Sequence, residues 1–193
     1  MSKIELENVG NHDLPEEQQI CVGCGFCCDG TMFLNAVLQP GEHGGLPEKI
    51  EENYLKINDQ EYFKLPCLYF DKHCSIYYRE KAIICSTYRC QLLKNFSDGK
   101  ISLPDALGIV QKALAMRQEI FEQYYLLADI NKPVHFKGLL GALDKISNKK
   151  TQNYYANIDY EILVARCNIF EALLIKHFRS VQEFESLMIT MKT

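Results

Sequence analysis

Eight of the nine cysteines in this 193-residue chain lie between Cys21 and Cys90. Four form the run Cys21-Val22-Gly23-Cys24-Gly25-Phe26-Cys27-Cys28, and the others are Cys67, Cys74, Cys85 and Cys90. Thiols spaced in this way either pair as disulfides or converge as thiolates on metal, and the redox compartment decides which. Residues Met1 to Glu7 hold no apolar stretch and no small-residue cleavage site. That predicts no secretory leader and a cytoplasmic setting, where thiols stay reduced. The adjacent Cys27 and Cys28 also argue against a plain disulfide framework, because neighbours bridge only with strain. The expectation is a metal-thiolate protein. Cys167 stands apart in a helical stretch and reads as an ordinary buried thiol.

Cys21, Cys24 and Cys27 recur every third residue with glycine between them, so a tight turn can bring three sulfurs towards one point. Zinc takes four thiolates in a tetrahedron, commonly from Cys-x-x-Cys pairs. A 4Fe–4S cluster takes closely spaced cysteines plus a remote one. In ferredoxins a proline follows that remote cysteine, whereas here Pro66 precedes Cys67. If residues 27 and 28 are extended, their side chains point to opposite faces, and the two either serve different centres or leave Cys28 outside the ligand set. Eight thiols then suffice for two four-thiolate sites, with the pairing left open. Either metal leaves such sites negative, so Arg79, Lys81 and Arg89, close to Cys74, Cys85 and Cys90, are candidates for offsetting that charge. His43 and His73 are alternative nitrogen donors.

The fold class predicted is mainly α, with an irregular cysteine-rich metal-binding module packed against an antiparallel helical segment. Residues 1–20 read as a polar lead-in, 21–97 as the cysteine module and 98–193 as the helical segment, the last two expected to form one compact unit since 47% of residues are hydrophobic. Glycines and prolines punctuate the module. Thr31 to Leu38 suggests a short strand, and Ser75 to Ala82 and Thr87 to Phe96 suggest short helices. Ser102, Pro104 and Asp105 mark a helix start. Leu107, Val110, Leu114, Phe121 and Tyr124 then follow at helical spacing. Further helices are expected over 133–146 and 158–178, the latter burying Ile158, Ile162, Ala165, Ile169 and Leu173. Ser180 and Glu183 form a capping box for a final helix.

A net charge of −4 does not favour nucleic acid, and no apolar run approaches the roughly 18 residues of a membrane span. Neither a phosphate loop, a dinucleotide fingerprint, Gly-x-Ser-x-Gly nor His-Glu-x-x-His occurs. No catalytic residue is assigned, and whether the chain is an enzyme is left open.

The cysteine pattern resembles the CxxCxxCC family of zinc- or iron-chelating proteins, the YkgJ-like cysteine-cluster family. The resemblance rests on the run from Cys21 to Cys28, then Pro66-Cys67-Leu68, Cys74 to Tyr77, and Cys85 to Cys90. The family's Arg-Pro before the third downstream cysteine and Arg after it are replaced here by Lys81-Ala82 and Ser86. The resemblance implies metal chelation by Cys21, Cys24, Cys27, Cys28, Cys67, Cys74, Cys85 and Cys90, holding zinc or an iron–sulfur cluster. It brings no settled reaction. Electron transfer by an iron–sulfur oxidoreductase with a redox partner is the alternative.

Overall fold

The computed structural model describes residues 14–128, 135–147 and 154–179. Helix α1 (Glu16–Cys24) begins within the stretch assigned to the lead-in, so that boundary moves back. Ile20 fixes it in the core at 1% exposure. Glu16 and Glu17 lie in its first turn, where the helix dipole favours negative charge. The helix ends at Gly25, whose φ of +67° is left-handed and whose amide donates to the Cys21 carbonyl. A Cβ at Gly25 would also run into the Phe70 ring.

Strand β1 (Asn35–Val37), helix α2 (Glu48–Glu51), and strands β2 (Tyr54–Ile57) and β3 (Gln60–Lys64) follow. The three strands form an antiparallel sheet in the order β1-β3-β2, with Ala36 and Tyr54 flanking Phe63. Asn58 and Asp59, at φ of 48° and 63°, make the tight connection between β2 and β3, the backbone shape that a two-residue hairpin demands. The strand expected over Thr31 to Leu38 is thus confined to Asn35–Val37.

Strands β4 (Phe70–Asp71) and β5 (His73–Cys74) form a small hairpin. The helix expected over Ser75 to Ala82 is absent. Cys74 is committed to β5 and Ile76 is drawn into the core. Tyr77 and Arg79 then close short turns on Cys74 and Ile76. Helix α3 (Ile83–Thr87) starts only afterwards, Tyr88 is extended, and α4 (Gln91–Ser97) follows Cys90. The helix expected over Thr87 to Phe96 is therefore interrupted around Cys90.

The helical segment contains α5 (Leu103–Ala128), α6 (Phe136–Ser147) and α7 (Tyr154–Leu174), which continues as a π-helical turn, Ile175–Arg179. Ser102 caps α5 as expected: its hydroxyl accepts from the Asp105 amide at 3.3 Å and donates to the Asp105 carboxylate at 2.5 Å. Val110 and Tyr124 are buried on α5, while Leu107, Leu114 and Phe121 are half-buried. Ala106 and Ala113 lie at its inner face, where small side chains let α1 and α7 approach closely.

The expected face of α7 is wrong by about one residue, roughly 100° of rotation. Ile162 and Ile169 are 44% and 57% exposed, and Leu163, Cys167, Phe170 and Leu174 are buried instead. Phe170 decides this, meeting both Phe26 and Phe136 edge to face. Of the rest of the expected face, Ala165 is exposed and Leu173 half-buried. Residues 133 and 134 and the capping box at Ser180 lie outside the described residues, as does the side chain of Ile158.

The chain is mainly helical, with two hydrophobic cores. The larger joins α1, α4, α5, α6 and α7, and includes Ile20, Phe26, Leu92, Val110 and Phe170. The smaller lies behind the sheet and contains Leu38, Ile50, Phe63, Leu65, Ile76 and Ala82. Gly25→Ala is expected to cost about 1–3 kcal/mol through left-handed strain and the Phe70 clash. The midpoint of denaturant unfolding measures this, and an unchanged midpoint would refute the role given to Gly25.

Candidate metal centre

Cys21 and Cys24 occupy the last turn of α1, three residues apart and so on neighbouring parts of one face. After Gly25 the chain turns through residues 26–30 rather than extending. This corrects the extended geometry expected for Cys27 and Cys28. The later thiols reach the same region by separate routes. The Cys67 amide donates to the Cys28 carbonyl at 2.8 Å, joining the two loops directly. Cys74 ends β5, Cys85 lies within α3, and Cys90 precedes α4.

The eight thiols fall into two groups by their mutual influence. Burial is the leading cause that raises Cys21, Cys24 and Cys27; Cys90 acts on all three, Cys21 on Cys24 and Cys27, and Cys27 is also raised by Cys24 and Cys28. Burial likewise leads at Cys28, followed by Cys85, Cys21, Cys67 and Cys74. Cys67 responds to Cys74, and Cys85, pushed up to about 12 by burial, responds to Cys67 and Cys74. Most of these influences run within Cys21, Cys24, Cys27 and Cys90 or within Cys28, Cys67, Cys74 and Cys85, while Cys28 acts on Cys27 and Cys21 on Cys28 across the two sets. They meet at the Cys27–Cys28 peptide.

Packing separates four of the thiols in the same way. Cys24 and Cys90 rest against the larger core, and Cys67 and Cys74 against the smaller. A cavity of about 40 Å³ is lined by Cys21, Cys24, Cys27, Cys28 and Cys90. A neighbouring cavity of about 280 Å³ is lined by Cys21, Cys27, Cys28, Cys67, Cys74 and Cys85. Among the described residues the side chains, as they stand, form no group of three or more His, Cys, Asp or Glu that would hold a single metal ion. The sulfurs surround space rather than meeting at a point. No disulfide forms, and all nine cysteines are free. Cys167 lies in the larger core at 1% exposure, away from both sets.

The surrounding charge was only partly expected. Arg89 and Lys81 lower Cys21, and Lys81 lowers Cys85. Arg89 is held at 2.5 Å by Glu17 of α1. His43 stacks on Tyr54 and bonds to Glu51 at 2.6 Å, so it belongs to a different cluster. His73 is exposed.

Sequence reading missed Arg117. From α5, its guanidinium pairs with Asp29, donates to the Thr31 hydroxyl at 3.3 Å and lies 5.2 Å from the Phe26 ring centre. It also favours the charged form of Cys24. Asp29 accepts the Thr31 amide at 2.8 Å, which shapes the turn just after Cys28. A mid-helix arginine gave no signal of this partnership, because its partner lies far earlier in the chain.

No protein-family model matches this sequence, and neither a curated protein nor a solved structure matches it.

Two predictions follow the electrostatics. Arg117→Ala leaves the buried Oδ2 of a half-buried Asp29 without its cation and is expected to cost about 1–3 kcal/mol. In a double-mutant cycle with Asp29→Asn the two losses should be strongly non-additive, and simple additivity would refute the coupling. The thiols that the fold partly shields stay protonated at a pH where the unfolded chain ionises, about 8.5. Their folded values are raised, so their stabilisation is complete below that pH and is lost as pH rises through the folded values. Under reductant, the metal-free protein's thermal midpoint should fall from about pH 8 to about pH 10; a flat profile would count against this shielding.

Proposed function

We propose that this chain is a metal-thiolate protein with two adjoining four-cysteine centres. Cys21, Cys24, Cys27 and Cys90 form one, and Cys28, Cys67, Cys74 and Cys85 the other. The observation that carries the reading is the gathering of all eight thiols around two adjoining cavities. Most of their mutual electrostatic influence falls within the two groups, and the four thiols that rest on a core follow the same grouping. Eight thiols of structural disulfides would pair, whereas all are free here. The resemblance to the CxxCxxCC family points the same way.

The donor chemistry suits zinc or an iron–sulfur cluster, both of which bind four thiolates. Four sulfurs around one zinc must lie near 2.3 Å from it, so a zinc centre needs the thiols to draw inward from their present positions. Sulfurs arranged around a cavity favour a polynuclear cluster at the wider set, which makes electron transfer the second reading. When bound, such a cluster supplies a one-electron couple. The protein supplies the sulfurs, sets Phe26, Phe33 and Phe70 beside them, and offsets charge with Arg117 on one side and Lys81 on the other. Amides also act on sulfur: Phe26 at Cys24, Tyr69 at Cys67, and Leu92 and Leu93 at Cys90.

Anaerobic purification followed by elemental analysis and a visible spectrum tests the proposal. Cys24→Ser and Cys90→Ser should each lose the same half of the bound metal, Cys67→Ser and Cys85→Ser the other half, and Cys167→Ala none. Metal-free protein from metal-replete cells, or losses that ignore this grouping, would overturn the reading.

A further inference from the structure

The cavity beside the second thiol set is larger than a metal centre requires. At about 280 Å³ it has nearly twice the volume of the roughly 150 Å³ apolar cavity that admits benzene. Cys28, Cys67, Cys74 and Cys85 line one part. Away from them the lining is the sheet and the smaller core, with Ala36, Ile50, Phe63 and Leu65. Four thiolates have no chemical use for that floor.

We infer that this cavity binds a small uncharged apolar molecule, aromatic or branched aliphatic, against the Phe63 and Ala36 side of the sheet and next to the Cys28–Cys85 centre. The inference rests on the proposed metal reading for what stands at the sulfur end, whereas the apolar floor is independent of it. The lining selects against charge. Lys81 is its one charged residue, and that ammonium is already engaged, donating to the Tyr77 carbonyl at 2.6 Å and lying 4.2 Å from the Tyr77 ring centre. A four-thiolate centre with a dipositive ion or core keeps two negative charges, which repel an anion. Apolar walls with few polar groups are the usual form of a small-molecule site.

Indole is a suitable probe, because the chain contains no tryptophan and indole emission is therefore unobscured. Equilibrium dialysis and indole fluorescence would be measured on the metal-loaded protein, prepared without oxygen, alongside its metal content. One indole per chain should bind saturably, and indole-3-acetate should bind at least about tenfold more weakly. Ala36→Phe fills the floor and should weaken indole binding by about tenfold or more, leaving metal content unchanged. The milder Ala36→Leu, tested in parallel, should weaken it in the same direction if Ala36→Phe does not fold. Absence of indole binding, equal binding by a folded Ala36 variant, or binding to metal-free protein that metal loading abolishes would each overturn the inference. In the last case the cavity is simply room for the metal. Protein that holds no metal but binds indole in an Ala36-dependent manner would sink the metal reading and leave the cavity assignment standing.

Discussion

The abrupt end of α1 at Gly25 is the constraint on which the cysteine region depends. A helix continuing one more turn would carry Cys27 and Cys28 past the sheet. Left-handed backbone at Gly25 instead folds the chain back on itself, and the empty space where a Cβ would stand is taken by Phe70. One residue thus terminates a helix and admits the hairpin that carries Cys74. The turn is then held from two sides. Arg117 grips Asp29 from α5, and the Cys67 amide grips the Cys28 carbonyl from beyond β3. Local geometry supplies the bend, and distant elements fix its direction.

The two cores meet at this bend. The thiols of the first set are backed by a helical assembly, and those of the second by a small sheet. Their electrostatic surroundings differ accordingly. Arg117, held in an ion pair within the protein, acts on Cys24 of the first set alone, whereas Lys81 stands between the sets and acts on both Cys21 and Cys85. On the proposed reading, two centres of identical ligand type would differ in potential or affinity for this reason alone, since charge acts more strongly where water is excluded.

Much of this was legible in the sequence for identifiable reasons. The Cys21–Cys28 run and the four later cysteines announced themselves by type and density. The start of α5 was readable from Ser102 and Asp105 because capping is local. The inner face of α7 was not readable, since isoleucines 162 and 169 fit a helical stripe as well as Leu163 and Phe170 do, and only contact with Phe26 and Phe136 chooses between them. The β2–β3 hairpin went unrecognised although Asn58-Asp59 between apolar-alternating flanks carried its signal. Arg117 and Asp29 lay beyond reach for a different reason. Their pairing is a property of tertiary proximity, and neither residue is unusual in its own neighbourhood.

The π-helical turn after α7 places Phe178 against Phe26 with ring centres 5.3 Å apart. Phe26 stands between Cys24 and Cys27, and Phe178 also lines the smaller cavity. The wall around the earliest thiols is therefore supplied by some of the last described residues. On a ribosome, which releases a chain from its amino terminus onward, the cysteine run emerges long before that wall exists. Its sulfurs remain open to solvent until α7 docks, so the sequence of synthesis itself separates the exposure of these thiols from their enclosure.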